Sequence, residues 1–393
     1  MKIQRRYDLE EYRLDAQKCM RCGFCVVLCP IYDYSTWESE SPRGRMQLIN
    51  GILGDELKIN DVIKDRMFEC TLCAYCKDKC PAGVRTIDAF KAIRRRLINE
   101  KYTPDALNML QEAIIESYNI FKHPSEARMD WIEYMDLEDK VKIAKKADVV
   151  YFTGCSTTLT GRAMSIAAST ASILNALEYD WTVLGQDEWC CGNPLLAGGK
   201  IDGIEEFAKH NIDVIKKLGA KTVVTSCPGC FKTFFEDYPD ILGSLDFKVV
   251  HITQLIDKAI GEGKLDFKKN LNCTITYHDP CELGRYLGIY DAPRRILKNI
   301  PGVKFKELVH NRNLTQCCGA GGLMKATFSN LSLEQAKRKI REAQEVGAQI
   351  ITSACQTCKL NILDAITETE SDLEVLDITE LVAKALNICP FEN

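Results

Sequence analysis

From about residue 146 onward, short apolar runs rich in β-branched residues alternate with longer stretches of helical periodicity. "ADVVYFTGC" leads into Cys155, "AKTVVTSCPGC" into Cys227 and Cys230, and "FKVVHITQL" follows. The series then restarts. "LNCTITYHDPC" leads into Cys281, "AQIITSACQTC" into Cys355 and Cys358, and "LEVLDITEL" follows. The offsets hold nearly constant: 126 from Cys155 to Cys281, 127 from Cys191 to Cys318, 128 from Cys227 to Cys355 and 126 from Thr253 to Thr379. This is an internal duplication of two α/β units of about 120 residues each. Strand–helix alternation predicts a mainly parallel sheet in each. "AMSIAASTASILNAL" (163–177), interrupted by Ser, Thr and Asn, predicts a buried core helix rather than a membrane span.

The segment before residue 146 is expected to be mostly helical. In "SPRGRMQLINGIL", Ser41-Pro42 predicts a helix start, a cap followed by proline at the first position. The expected organisation is α+β and multidomain: a helical module over 1–145 and two α/β domains over 146–270 and 271–393.

Cysteine changes the picture. The chain of 393 residues has 20, and 18 of them fall into four ordered groups. Without an export signal, clustered thiols point to metal or redox work rather than a disulfide framework. In the helical module, Cys19, Cys22, Cys25 and Cys29 precede Pro30, and Cys70, Cys73, Cys76 and Cys80 precede Pro81. Both groups read C-x2-C-x2-C-x3-C-P, the spacing of two cubane [4Fe-4S] clusters in which the fourth cysteine ligates the neighbouring cluster. The expected sets are Cys19, Cys22, Cys25 with Cys80, and Cys70, Cys73, Cys76 with Cys29. Zinc is disfavoured, because it usually takes four ligands from two separated pairs. Arg43 and Arg45 are read either as offsetting cluster charge or as part of a solvated helix face.

In open parallel sheets, ligands bind at the carboxyl ends of the strands. Cys155, Cys227, Cys281 and Cys355 each follow an apolar β run. Each unit should therefore gather five cysteines at one edge: Cys155, Cys190, Cys191, Cys227 and Cys230 in the first, and Cys281, Cys317, Cys318, Cys355 and Cys358 in the second. A cubane or a zinc site takes four. A fifth thiol must be free and reactive, bridge, or belong to a non-cubane cluster. Adjacent cysteines on an extended backbone point to opposite faces, so the following Gly192 and Gly319 are expected to bend the chain.

Smaller signals add detail. His278, three residues before Cys281, is the candidate proton donor, with Phe152 at the matching place in the first unit. The competing reading is a histidine hydrogen-bonded to a loop carbonyl. His123, His210, His251 and His310 have no motif context. Cys273 and Cys389 read as small buried hydrophobes. "KAIRRRLINEK" (91–101) reads as a solvated helix face, or as a docking surface for an acidic electron donor.

Composition narrows the function classes. A net charge of −4 argues against broad nucleic-acid binding. The start, "MKIQRRYDLEEYRLD", has no apolar run of a secretory signal. No transmembrane segment is expected, so the protein is expected to be cytoplasmic, or peripheral to a membrane through a partner. No G-x-G-x-x-G follows a strand, so any flavin or haem is assigned to another subunit.

The two C-x2-C-x2-C-x3-C-P groups, "SPRGR" and two copies of C…CCG…C-x2-C together resemble the CCG-domain family of iron–sulfur oxidoreductases over nearly the whole chain. One branch is the D-type subunit of heterodisulfide reductase. The other comprises iron–sulfur subunits of flavin-linked glycerol-3-phosphate, glycolate and lactate dehydrogenases. The resemblance implies two cubane and two non-cubane [4Fe-4S] clusters. It implies that electrons pass from the cubane pair to the two five-cysteine sets, which reductively cleave a disulfide such as coenzyme M–coenzyme B. All ten CCG-type cysteines match, which favours the disulfide reductase branch. The alternative is an electron relay between a flavoprotein dehydrogenase and a quinone or membrane cytochrome. Either branch implies other redox subunits as partners, a flavoprotein, a ferredoxin-like protein or a membrane cytochrome. A cavity between the two CCG units would discriminate them.

Overall fold

The computed structural model describes residues 2–391. The helical module forms as expected. Ser41 caps the helix Pro42–Leu53, its hydroxyl accepting from the Gly44 N–H at 2.9 Å, with Pro42 at the first position. This helix packs with Asp61–Phe68 and Thr86–Asn99 around Met46, Ile49, Met67, Phe68, Phe90 and Ile93.

Two four-stranded parallel sheets follow. The first contains β1 (Val149–Tyr151), β2 (Trp181–Val183), β3 (Thr222–Thr225) and β4 (Lys248–His251) in the order β2-β1-β3-β4. The second contains β5 (Cys273–Tyr277), β6 (Val303–Glu307), β7 (Ile350–Ser353) and β8 (Glu374–Asp377) in the order β6-β5-β7-β8. The order is the same in both, and so is the register. Val150 lies between Thr182 and Val223, and Thr276 lies between Lys306 and Ile351. Residues 142–144 extend the first sheet, with Ile143 bridging Val183 in parallel.

The helix after the last strand of each unit starts with a capping box, on His251 in the first and Asp377 in the second. These two caps are 126 residues apart. The same duplication governs how the units meet. The first long helix of unit one, Met164–Ala176, packs on the last helix of unit two, Ile378–Leu386. Reciprocally, the last helix of unit one, Ile252–Gly261, packs on Asp291–Asn299 of unit two. This is the pairing of an isologous interface, here inside one chain. One continuous hydrophobic core runs through it, from Tyr151 and Trp181 to Ile275, Tyr277 and Leu381. Met164–Ala176 is buried over most of its length, which explains its apolar sequence without a membrane. Among the described residues no helix is long and apolar enough to cross one.

Candidate redox site

In each unit the five cysteines meet as one chain of touching thiols. In the first unit Cys155 contacts Cys190, which contacts Cys191, then Cys230, then Cys227. In the second the matching chain runs Cys281, Cys317, Cys318, Cys358, Cys355. Cys318 Sγ and Cys358 Sγ lie 3.2 Å apart. The doubled cysteine is the middle of each chain, with one strand-end cysteine on one side and the C-x2-C pair on the other. None of these ten cysteines is joined in a disulfide.

Local geometry explains how neighbours in sequence reach one centre. Gly192 and Gly319 have φ of +85° and +97°, a conformation that a side chain disfavours. Each turns its N–H back onto the sulfur two residues earlier, Cys190 and Cys317, both at 3.4 Å. A Cβ on Gly319 would also collide with the Ser332 carbonyl. Gly154, at φ +81°, brings its backbone against Cys230 Sγ.

Hydrogen bonds along these chains polarise the thiols. Donation from Cys190 and Cys230 lowers Cys191 to about 6. Donation from Cys281 and Cys318 holds Cys317 well below the usual thiol range. Their neighbours Cys190 and Cys318, donating in turn, are pushed up.

The helical module holds two tighter clusters. Cys19, Cys22, Cys25 and Cys80 line a cavity of about 30 Å³, together with Arg43 and the edge of Cys76. Cys29, Cys70, Cys73 and Cys76 line another of about 20 Å³, with Arg45 and the edge of Cys25. The fourth cysteine of each sequence group thus sits with the first three of the other. Burial pushes Cys25 to about 11 and Cys29 to about 12, a cost that a cationic metal core would remove. This all-sulfur donor set fits an iron–sulfur group. Arg45 is fully buried and donates to the carbonyls of Arg66 and Glu69, so it is not on a solvated face. Arg43 bonds Glu38 and the Arg21 carbonyl at the mouth of the first cavity.

A larger cavity, about 450 Å³, separates the two five-cysteine sets. Nine of the ten sulfur-bearing residues line it: all five of the first set, and Cys281, Cys318, Cys355 and Cys358 of the second. Cys317 lies behind, against Cys73 and Tyr75 of the helical module. Leu110, Ile120, Phe121, Leu323 and Leu360 supply apolar wall. Glu282 is the carboxyl that lines it, and Asn193 of the other unit donates to it at 3.1 Å. Desolvation raises Glu282 above the usual carboxylate range. At the rim, Arg162 of unit one and Lys325 of unit two share the carboxylate of Asp364.

The second set packs on Cys73, one of the cysteines of the two tighter clusters. Arg285 donates to the Cys73 carbonyl at 3.1 Å, and Tyr286 to the Leu72 carbonyl at 2.6 Å. The first set faces Leu110, Ile114 and Tyr118 instead.

Several expectations need revision. His278 has the predicted proximity, its ring within 4.8 Å of the sulfurs of Cys318 and Cys358. It does not line the cavity, and burial lowers it to about 3, so it is neutral at physiological pH. Its Nδ1 has no hydrogen-bond partner, so the loop-carbonyl alternative does not describe that atom. The run 91–101 is neither a solvated face nor an open docking surface. Lys91 and Arg94 are buried, and Arg95 and Arg96 pair with Asp202 and Glu100. Cys273 and Cys389 are half-buried rather than buried.

Arg94 departs furthest from what that run suggests. Its guanidinium donates to the carbonyls of Met67, Phe68 and Cys70 in the helical module, Ala197 in unit one and Gly322 in unit two. One side chain thus joins all three parts. The approach is close enough that a Cβ on Gly199 would meet the Arg95 N at 2.6 Å, and one on Gly321 would meet the Thr71 carbonyl at 2.7 Å. Neither Glu282 nor Arg94 stands out in the sequence as a site residue. The signal for Arg94 is the "AGG" that follows the doubled cysteine in each CCG copy (197–199 and 320–322), small residues placed where another backbone must come near.

Comparison with known proteins agrees with this architecture. Residues 149–235 and 275–363 match a cysteine-rich domain, and residues 15–84 match a 4Fe-4S dicluster domain. The chain is 36% identical over 395 residues to the D-type subunit of the dihydromethanophenazine:CoB–CoM heterodisulfide reductase of Methanosarcina mazei, covering 95% of each chain. It is 37% identical to the protein of the same name from Methanosarcina barkeri, with the same coverage. A probable iron–sulfur-binding oxidoreductase of Bacillus subtilis is 30% identical over 96% of this chain and 61% of its own length. The chain belongs to the family of D-type heterodisulfide reductase subunits: it is an iron–sulfur oxidoreductase subunit with a 4Fe-4S dicluster domain and two cysteine-rich domains.

Proposed function

We propose that this chain is the disulfide-cleaving subunit of a heterodisulfide-type reductase, working with other redox subunits. The observation that carries the reading is the cavity of about 450 Å³ reached by sulfurs of both five-cysteine sets. An electron relay needs no such space between its centres, whereas a disulfide presents two sulfurs and needs two electrons and two protons. The chain is taken as three units, 1–145, 146–270 and 271–393.

Cys19, Cys22, Cys25 and Cys80 would hold one cubane, and Cys29, Cys70, Cys73 and Cys76 the other. Each five-cysteine set would hold one non-cubane [4Fe-4S] centre. When bound, these groups supply one-electron steps from the dicluster domain to the two faces of the cavity. The protein arranges the rest. Leu110, Leu323 and Leu360 give the cavity an apolar wall, which would limit water at the reacting sulfurs. Glu282 is the acid group facing the cavity, held by Asn193, and is better placed than His278 to give a proton to a departing sulfur. Because Cys73 packs on the second set, the second unit would be the one addressed from the dicluster domain. Any membrane contact would come through a partner.

The test begins with the full chain purified without oxygen. Four four-iron centres require about 16 iron per chain. About 8 iron would leave the ten later cysteines metal-free and defeat the reading. With about 16 iron, reduced viologen and the coenzyme M–coenzyme B disulfide should give turnover. No turnover, with rapid reduction by a flavoprotein dehydrogenase, would assign the chain to the relay branch.

A further inference from the structure

The two cysteine sets match in sequence but not in surrounding charge. Arg128, on the short turn Ser125–Met129, is 2% exposed. Its Nη2 donates to Cys155 Sγ at 3.3 Å and to the Tyr118 carbonyl at 3.0 Å. Its Nη1 donates to Glu188 at 2.9 Å. Glu188 is fixed in turn by the N–H groups of Thr153 and Gly154, both at 2.8 Å, and by the Thr153 hydroxyl at 2.9 Å. Every neighbour that bonds this carboxylate is a donor, which suits the ionised, acceptor-only form.

The second unit replaces this device. Asp279 stands where the first unit has Thr153, 126 residues earlier. Asp279 takes two bonds from Arg294, at 2.7 and 2.8 Å, and Arg294 also binds Glu307. That arginine is committed to two carboxylates. Among the described residues no cationic side chain donates to Cys281 Sγ. The other nearby cations are engaged as well: Lys339 pairs with Glu342, and Arg285 donates to the carbonyls of Cys73, Asn313 and Thr315. Glu282 adds a carboxyl beside Cys281.

A cationic N–H on a ligand sulfur withdraws electron density from it. That favours the reduced, more negative state of a metal centre and raises its reduction potential. We propose that Arg128 sets the centre of the first unit at a higher reduction potential than that of the second, so that of the two centres the first is the one reduced first. This rests on the reading that each five-cysteine set holds an iron–sulfur centre. The step it biases moves one electron from the second-unit centre, which is oxidised, to the first-unit centre, which is reduced. No bond or proton moves. Arg128 touches a ligand and not the substrate, so it is a positioning and tuning residue.

The test is a redox titration of the full chain under anaerobic conditions with dithionite as reductant, followed by electron paramagnetic resonance, with iron counted first. Cys191→Ser, which should lose the first-unit signal, identifies it. In Arg128→Gln that signal should move to lower potential by about a tenfold change in its reduced-to-oxidised ratio, about 59 mV for a one-electron couple. The other three signals should hold. In Glu188→Gln, where the guanidinium loses its counter-charge, the same signal should move the opposite way. Loosened packing alone would not reverse sign between the two variants. A protein with about 16 iron whose first-unit signal is unmoved in Arg128→Gln overturns the proposal, as do shifts of the same sign in both variants. If Arg128→Gln does not retain iron, the sign in Glu188→Gln decides alone. About 8 iron in the unmodified chain would instead defeat the underlying reading, which separates the two failures.

Discussion

The two cysteine-rich units share strand order, register, capping position and a chain of five touching thiols, yet they are wired differently. The second unit leans on the dicluster domain through Cys73, Arg285 and Tyr286. The cysteine set of the first unit packs on Ile114 and the Tyr118 segment instead, and its leading cysteine carries a buried arginine. The cavity lies between them. Duplication supplied two equal halves, and the residues that differ set them apart: one cysteine set packs against Cys73 and the other against Ile114 and Arg128. The difference resides in Arg128, Glu188, Asp279, Glu282 and Arg285, none of which is a cysteine.

The strongest way to break the comparison is to remove one sulfur from the middle of a set. Cys318→Ser should abolish disulfide reduction, by about 100-fold or more, and drop iron from about 16 to about 12 per chain. The dicluster signals should survive. The matched variant Cys191→Ser should do the same from the other side. A set that tolerates the loss with full activity would not be part of the reacting pair.

Next in size is the joint of all three parts. Arg94→Met leaves carbonyls of three segments without their shared donor, with Arg94 itself fully buried in the native chain. We expect a cost of about 4 kcal/mol, read by chemical denaturation of the metal-loaded protein. A loss below about 1 kcal/mol would show that the joint holds without it.

The matched helix caps should respond oppositely to acid. Burial lowers His251 to about 4, against about 6.5 in the unfolded chain. The folded state therefore favours the neutral ring. Its contribution is fully present above about pH 6.5 and is lost as pH falls through about 4, on the order of 3 kcal/mol in all. His251→Asn should flatten that loss in a stability–pH profile. Asp377, the cap of the second unit, is raised to about 7, chiefly by burial, so its carboxyl favours the protonated form in the fold. Its contribution is present below the unfolded carboxylate value and is lost as pH rises through about 7, so it cannot produce the acid loss.

The smallest effect is expected at His278. Phe152 occupies the matching place in the first unit, and His278 does not line the cavity. His278→Phe should change turnover by about twofold or less. A drop of about 100-fold would restore it as a proton donor.

Much of this molecule is written in its spacing. The cysteine intervals, the apolar β runs and the 126-to-128 offsets carry the duplicated parallel sheets, the two dicluster cavities and the gathering of each five-cysteine set. Gly192 and Gly319 bend where a doubled cysteine requires it. The joints between parts left weaker traces. Arg94 looks like one more cation in a basic helix, because its partners are carbonyls from segments up to 228 residues away. Glu282 follows Cys281 without a motif, and only the opposing Asn193, 89 residues off, marks it as part of the cavity. His278 looks reactive in sequence because it lies three residues before Cys281 and an ordinary imidazole titrates near neutral pH. Burial, which no local pattern records, keeps it neutral and behind the sulfurs.

The central claim is that both cysteine sets act on one disulfide in the cavity between them. Steady-state reduction of the coenzyme M–coenzyme B disulfide by reduced viologen, using chain that carries about 16 iron, tests it most directly. Turnover is predicted, and it should disappear in Cys191→Ser and in Cys318→Ser alike. Full turnover in either variant, or none in the fully loaded chain, would contradict it.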